Sequence, residues 1–343
     1  MIYHTGIDVH ENFCSIQHMD NDGALGLTMT VPTTKEGLNR FLAQLDEPTT
    51  ITFEAGRNYW WLHQFFTDHP KVLQVNVVDP RRSRHIAEEL SVISGYGRAK
   101  NDRIDGEMLA EQSRRGLAPT IYVPTPEQLA MRTVNRQRFS TVENRTRAKN
   151  MIHGLLAMHG ASAAIDTLLH DVTTKTKIMA PLPEYVPMLV ELLLAWVRLF
   201  NQQVDFLEAE LNRLLPPSHP QIKLLLTVPG IGIVLARIIY TELLDINYFK
   251  DNPKYFISYN GLAPLANESA GRQGRMKLNS HSNHYLKYAF VEAAHNAFDH
   301  PHYRRKYELD VKKHGKIIAK LNLARRLAKT VYWMLTRQQP YRP

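Results

Sequence analysis

The sequence predicts an α/β region followed by a mainly helical remainder, an α/β plus α chain. Three observations predict it. Strand and helix signals alternate through the first 118 residues. Leu25, Leu27, Met29 and Val31 alternate with Gly26, Thr28 and Thr30, the period of a half-buried strand. Beyond Pro124 the strand signals stop and two long helix signals take over. At 343 residues the chain exceeds one ordinary core, and the expected division is residues 1–118, 119–220 and 221–343.

The N-terminal elements follow in order. Ile2 to Asp8 and Phe13 to Asp20 read as strands, joined to a third by the hairpin signal Asn21-Asp22-Gly23. Thr33 with Glu36 reads as a capping box for a helix carrying Leu38, Phe41, Leu42 and Leu45. Ile51 and Phe53 mark a fourth strand ending at Glu54, and a helix over Tyr59–Phe66 follows. Leu73, Val75 and Val77 mark a fifth strand, before helices near Arg81–Ile93 and Asn101–Arg115. Three strands in a meander, then helix, strand, helix, strand, helix, is the order of an RNase H-like fold.

In the middle region, Thr125-Pro126-Glu127-Gln128 combines a cap, a proline at the first helical position and a glutamine that closes the box. That helix is expected to reach about His159. A loop with Pro181, Pro183 and Pro187 leads to a second long helix, about Met188 to Leu215, ended by Pro216-Pro217. The two form either an antiparallel coiled-coil spacer, which could serve oligomerisation, or an ordinary helical subdomain. In the third region Val228-Pro229-Gly230-Ile231-Gly232 precedes an apolar helix. It fits a helix–hairpin–helix-like element in which Gly230 and Gly232 let backbone approach a phosphate, and equally a tight turn. The last segment reads as one amphipathic helix with a seam of Leu321, Ala324, Ala328, Val331 and Leu335.

Charge and composition narrow the function. Lys and Arg number 42 against 33 acidic residues, a net +9. Residues 301–343 hold 12 Lys and Arg and 2 Asp and Glu, so the remainder nets −1. A basic tail on a near-neutral body points to a polyanion, nucleic acid before a membrane surface, with a solubilising helix as the alternative. Lys312, Lys313, Lys316, Arg325 and Arg326 are the phosphate-facing candidates there. Cys14 is the only cysteine, which excludes an intrachain disulfide and a zinc ribbon. His281 and His284 have ligand spacing but lack a third ligand nearby. With no signal peptide and no long apolar run, a cytoplasmic protein without membrane contact is expected.

The acidic residues carry the chemistry. Asp8 ends the first strand and Glu54 the fourth, neighbours in the expected sheet. Asp102 and Asp105, at i and i+3, share a helix face. Four converging carboxylates repel one another, and divalent metal relieves the repulsion. Mg²⁺ prefers oxygen ligands, and two such ions can activate an attacking oxygen and stabilise a leaving one in phosphoryl transfer. Each residue alone fits a turn or cap role; the joint pattern favours a site. Downstream, Ser269 lies in Asn260-Gly261-Leu262-Ala263-Pro264 … Ser269-Ala270-Gly271, followed by Arg272, Arg275 and Lys277. A serine with cations behind it could attack a phosphodiester, and it could also be a polar surface loop.

These blocks resemble the DEDD transposases of bacterial insertion sequences, the IS110 and IS1111 group. The resemblance rests on Gly6-Ile7-Asp8-Val9, Phe53-Glu54-Ala55, Lys100-Asn101-Asp102-Arg103-Ile104-Asp105, Val228 to Gly232, Asn260 to Pro264, Ser269 to Gly271 and Asn283 to Leu286, spread over residues 2 to 335. It implies a RuvC-like domain, a coiled-coil linker and a compact C-terminal domain. It implies Asp8, Glu54, Asp102 and Asp105 as Mg²⁺ ligands and Ser269 as the nucleophile that joins DNA. Its implied partners are donor and target DNA, a structured bridge RNA that reads sequence by base pairing, and further copies of the chain in a dimer or tetramer. Ala270 stands where the family often has a second serine, and Ser280-His281-Ser282-Asn283 departs from the family's Ser-Lys-x-Gly-Asn run. A RuvC-like nuclease using water and a non-catalytic nucleic-acid-binding protein are the alternatives.

Overall fold

The computed structural model describes residues 2–94, 102–243, 245–249, 252–265, 268–269, 272–273, 277–278 and 282–342, with backbone only for residues 91–94, 102 and the strand residues between 264 and 278. The chain divides into two units, Met1–Val123 and Pro124–Pro343.

Unit one is a mixed five-stranded sheet with helices. Its strands are β1 (Tyr3–Val9), β2 (Phe13–Met19), β3 (Leu25–Pro32), β4 (Thr49–Glu54) and β5 (Val72–Val78). The spatial order is β3-β2-β1-β4-β5. β1 pairs antiparallel with β2 and parallel with β4, and β4 pairs parallel with β5. This order is consistent with the expected RNase H-like arrangement. Helices α1 (Lys35–Ala43), α2 (Tyr59–Thr67), α3 (Pro80–Ser94) and α4 (Asp102–Arg114) accompany the sheet. Ile7, Ile16, Ile51 and Phe53 on the strands are buried with Leu38 and Phe41 of α1 and Phe66 of α2, each such side chain contributing roughly 1.5–3 kcal/mol.

The expected Thr33–Glu36 capping box is one residue out. Thr34 caps α1 by accepting from the Gly37 N–H. The Thr33 hydroxyl is taken instead by the His10 carbonyl, 3.0 Å away.

α4 lies directly on β1. A Cβ built on Gly6 of β1 would fall 1.9 Å from the Gly106 carbonyl oxygen and 2.6 Å from the Ala110 nitrogen of α4. Only glycine permits that approach. Two polar contacts fix the helix further: Ser113 Oγ is hydrogen-bonded to His4 Nδ1 on β1, and Gln112 Nε2 donates to the Ser83 carbonyl of α3. After α4 the chain returns to the β5 edge, where the Ile121 N–H donates to Val77.

Unit two is helical apart from short hairpins. α5 (Pro126–Met158) starts with the predicted box, Thr125 and Gln128 each accepting from the other's backbone N–H. Between it and α8 (Tyr185–Leu214) lie two short helices, α6 (Ile165–His170) and α7 (Val172–Met179), where the sequence suggested only loop. Arg138 pairs with Glu208 and Arg145 with Asn201, so α5 and α8 run antiparallel. Their shared core includes Ile152, Leu156, Val190, Leu194 and Val197.

Next come α9 (Pro220–Leu226), α10 (Ile233–Leu243), a 3-10 turn at Ile246–Phe249 and α11 (Pro253–Tyr259). Four two-residue strands follow: β6 (Pro264–Leu265), β7 (Glu268–Ser269), β8 (Arg272–Gln273) and β9 (Lys277–Leu278). α12 (His284–Ala297), α13 (Pro301–His314) and α14 (Lys316–Arg337) complete the unit. The expected single C-terminal helix is therefore two. Gly315 breaks it with φ +82 and ψ 165, a conformation closed to residues with a side chain. The seam holds: Ala324, Ala328, Val331 and Leu335 are buried, and Leu321 packs against the same core. No described helix is long and apolar enough to cross a membrane.

Gly6→Ala is expected to destabilise unit one by about 2–3 kcal/mol or more, because backbone rather than a movable side chain blocks the new methyl. Urea denaturation followed by circular dichroism measures it; a midpoint equal to wild type would show that α4 can withdraw from β1 at little cost.

Candidate active site

Sheet register brings Asp8 and Glu54 together. Ile7 is paired with Phe53 across the parallel β1–β4 ladder, so the residues that follow, Asp8 and Glu54, leave adjacent strands at one edge. α4 brings Asp105 over that edge, one residue from the glycine contact. The three carboxylates act on one another. Burial raises the Glu54 carboxyl above the ordinary range, a hydrogen bond from Ser83 opposes this, and the negative charges of Asp8 and Asp105 raise it further, with Arg84 pulling the other way. Asp102 starts α4, and its side chain lies outside the described residues.

Among the described residues no three His, Cys, Asp or Glu side chains are gathered tightly enough to hold a metal ion outright. The donor chemistry nonetheless fits a hard divalent cation: the set is oxygen-rich, and its mutual repulsion is what such an ion relieves.

Three neighbours escaped the sequence reading. His10 Nε2 is 3.0 Å from Asp8 Oδ2, and its ring stacks on Phe13. Ser83 is buried at the start of α3 and bonds Glu54; Arg84 adds a cation beside it. The His10 signal was present two residues after Asp8 in the same motif. Ser83 and Arg84 needed the β4–β5 register, which pairs Glu54 with Val78 just before α3.

In unit two, β6 pairs with β9 and, beyond them, β7 with β8, Ser269 facing Arg272. The backbone thus carries Ser269 to the far end of a two-tier hairpin, with Lys277 lower on the returning strand. Arg275 lies outside the described residues, as do the side chains of Ser269, Arg272 and Lys277. The feet of this segment are fixed. Arg325 Nε donates to the Leu262 carbonyl, and the Asn283 N–H donates to the Tyr259 carbonyl. Asn283 Oδ1 caps α12 by accepting from Tyr285 and Leu286.

The Asn283 Nδ2 donates to Glu242 Oε2 at 2.8 Å. Glu242, on α10, also receives both arms of Arg136 from α5, at 2.6 and 2.7 Å. Arg132 donates to the Thr241 and Glu242 carbonyls. Burial alone would raise the Glu242 carboxyl. The Arg136 hydrogen bonds and charge, then Asn283 and Arg132, outweigh it and hold the group below the ordinary carboxylate range.

The other nucleic-acid candidates separate by environment. Lys312, Lys313 and Lys316 are exposed around Gly315. Arg325 and Arg326 instead have partners within the fold: Arg325 holds Leu262 and Asn322, and Arg326 is paired with Asp310 of α13. Gly230 has φ +86, and a Cβ there would lie 2.3 Å from the Ala293 carbonyl, so it serves the packing of this turn on α12. Gly232 faces open space. Both line an open cleft of about 480 Å³ with Asn296 and His300.

Glu242 has a depressed folded-state pKa, so its contribution is present above the unfolded value and is lost as pH falls below the ordinary glutamate range of about 4.3. Wild type is expected to lose unfolding free energy between pH 5 and 3 more steeply than Glu242→Gln, measured by urea titrations at each pH. Equal slopes would mean that another carboxylate controls the acid limb.

Comparison with known proteins agrees with these blocks. A family model described as Transposase, of the DEDD IS110 type, matches residues 5–160, and a second, Transposase IS116/IS110/IS902 family, matches residues 222–308. A presumptive transposase, y4rJ, of Sinorhizobium fredii is 28% identical over 275 residues, which are 72% of this chain and 65% of that protein. The transposase for insertion sequence element IS1328 of Yersinia enterocolitica is 26% identical, covering 84% of this chain and 82% of its own. The transposase for insertion sequence element IS1111A of Coxiella burnetii is 24% identical, covering 71% and 68%. The alignment thus spans just under two thirds of the first of these relatives and more of the other two. Asp8, Glu54 and Asp105 fall within the first matched segment and the serine hairpin within the second, and the chain belongs to the IS110 family of transposases.

Proposed function

We propose that this chain is the transposase of an insertion sequence, cutting and rejoining DNA by Mg²⁺-dependent phosphoryl transfer with Ser269 as nucleophile. The observation that carries the reading is the convergence of Asp8, Glu54 and Asp105 at one sheet edge in a chain that also presents Ser269 on a braced hairpin. Residues 1–118 supply the RuvC-like acidic site, residues 119–220 a coiled-coil linker, and residues 221–343 the serine and the basic helices. Asp8, Glu54, Asp102 and Asp105 would hold the metal. When bound, two such ions supply charge neutralisation at the scissile phosphate.

The chain's own residues do the rest. The Ser269 oxygen forms a bond to phosphorus as a phosphorus–oxygen bond of the DNA strand breaks. The hydroxyl proton passes to solvent or a nearby carboxylate, and the departing sugar oxygen takes one up. Arg272 opposite Ser269, with Arg275 and Lys277, opposes the developing charge. Lys312, Lys313 and Lys316 bind backbone phosphates without reading sequence. Sequence is read by base pairing through a bridge RNA.

A homo-oligomer is part of the proposal. Tyr185, Leu192, Leu199 and Phe206 are exposed on α8 at seven-residue spacing, with Leu189 and Trp196 between them. They form an apolar stripe on the side away from the buried α5 contact, and such stripes mark association surfaces. Leu192→Glu combined with Leu199→Glu should lower the sedimentation coefficient to that of a smaller species; an unchanged value would place the contact elsewhere.

The test of the activity is a denaturing gel of protein, Mg²⁺, co-expressed RNA and labelled element-end DNA. Wild type should give a protein–DNA adduct that Ser269→Ala lacks, and Asp105→Asn should lose cleavage by at least about 100-fold while still binding DNA. Cleaved DNA in Ser269→Ala without any adduct would replace the serine mechanism by water attack.

A further inference from the structure

The C-terminal unit carries a row of exposed aromatic rings that neither the serine hairpin nor the basic helices account for. Tyr255 and Tyr259 sit at i and i+4 on α11, 60% and 39% exposed. On α12, Tyr288 is 42% exposed. Between them lies Arg136, whose side chain is 43% exposed. Its guanidinium is held by both Glu242 oxygens and lies 4.9 Å from the centre of the Tyr285 ring.

The row is braced from below. Phe249 packs on Tyr259 at 5.5 Å, and Phe139 meets Tyr285 and Tyr288 edge-on at 5.1 and 4.9 Å. Tyr259 also accepts the Asn283 N–H, which ties the row to the foot of the Ser269 segment. Large rings left in water while their neighbours are locked in place form a rigid amphipathic surface with little rotamer entropy to lose on binding.

Charge selects the partner. Unit two has 30 Lys and Arg against 17 Asp and Glu, a net +13, while unit one nets −4 with 12 against 16. Lys254 stands exposed beside Tyr255. At Tyr288 the charges of Glu292 and Glu143 are opposed by Arg138. A planar, ring-lined track in a strongly cationic unit suits the faces of unpaired bases, with phosphates passing the lysine. A stacked duplex offers such rings no base face.

We propose that Tyr255, Tyr259, Arg136 and Tyr288 form a stacking platform for an unpaired DNA strand beside the serine segment. The proposal rests on the reading that unit two handles nucleic acid and is independent of the role of Ser269. It implies that the DNA reaching the hairpin is opened, with several bases held out of the helix.

The test uses the full-length protein and a single-stranded DNA of about 15 nucleotides carrying 2-aminopurine, whose fluorescence is quenched by stacking. Tyr255→Ala combined with Tyr288→Ala should weaken single-strand binding by at least roughly tenfold and relieve the quenching. The matching duplex should bind within about twofold of wild type, and the corresponding Phe pair should behave as wild type, because stacking needs the ring and not the hydroxyl. Ala variants that bind the single strand normally, or lose duplex binding equally, would overturn the platform. A larger loss on RNA of the same sequence would overturn its assignment to DNA. Wild type that binds neither form would sink the nucleic-acid reading itself.

Discussion

The backbone contact between Gly6 and Gly106 is the constraint on which the acidic site depends. A strand and a helix ordinarily meet through interposed side chains, as two stacked sheets do at about 10 Å. Here neither glycine interposes a side chain, and α4 settles onto β1 itself. Asp105 is the residue before one glycine and Asp8 lies two after the other, so the approach that removes two side chains brings two carboxylates to the same edge. The parallel β1–β4 register adds Glu54. The remaining acids of α4 have cations of their own, Glu107 with Arg103 and Glu111 with Arg114 and Arg115. Negative charge is therefore concentrated at the start of the helix and compensated along its body.

Unit two solves a different problem. The feet of its serine segment are fixed by a buried polar node rather than by a glycine contact. Glu242 is almost fully enclosed and accepts from a guanidinium on α5 and an amide that caps α12. Removing one partner of such a buried group leaves an uncompensated charge and typically costs about 3–5 kcal/mol. That penalty links the long helix, α10 and the foot of the hairpin into one rigid arrangement. The same lock orients Arg136 over Tyr285, so the frame that braces the hairpin also flattens the surface beside it.

The sheet was legible because alternation at period two needs no tertiary information. The strand-end positions of Asp8 and Glu54 followed from it. The cap of α1 did not: Thr33 and Thr34 are equivalent in a propensity argument, and the choice is made by the His10 carbonyl, a contact across 23 residues. The short helices α6 and α7 span only six and eight residues, too few turns for their apolar spacing to stand out from a loop. Gly315 stood inside a run of cations with helical spacing on both sides, and its positive φ depends on how α13 folds back against α14. Arg325 and Arg326 looked like Lys312 and Lys313 in sequence. Their difference lies in the Leu262 carbonyl and in Asp310, which only the fold brings to them. His10 was readable beside Asp8, whereas Ser83 and Arg84 became site neighbours only through strand register.

The central claim is that the serine of unit two becomes covalently joined to DNA in a reaction supported by the acidic edge of unit one. The most direct measurement is proteolysis of the Mg²⁺-dependent protein–DNA adduct followed by mass spectrometry of the nucleotide-bearing peptide. The account predicts a nucleotide remnant on Ser269 in wild type and no adduct in Asp105→Asn. A remnant on any other residue, or undiminished adduct when Asp105 is replaced, would contradict it.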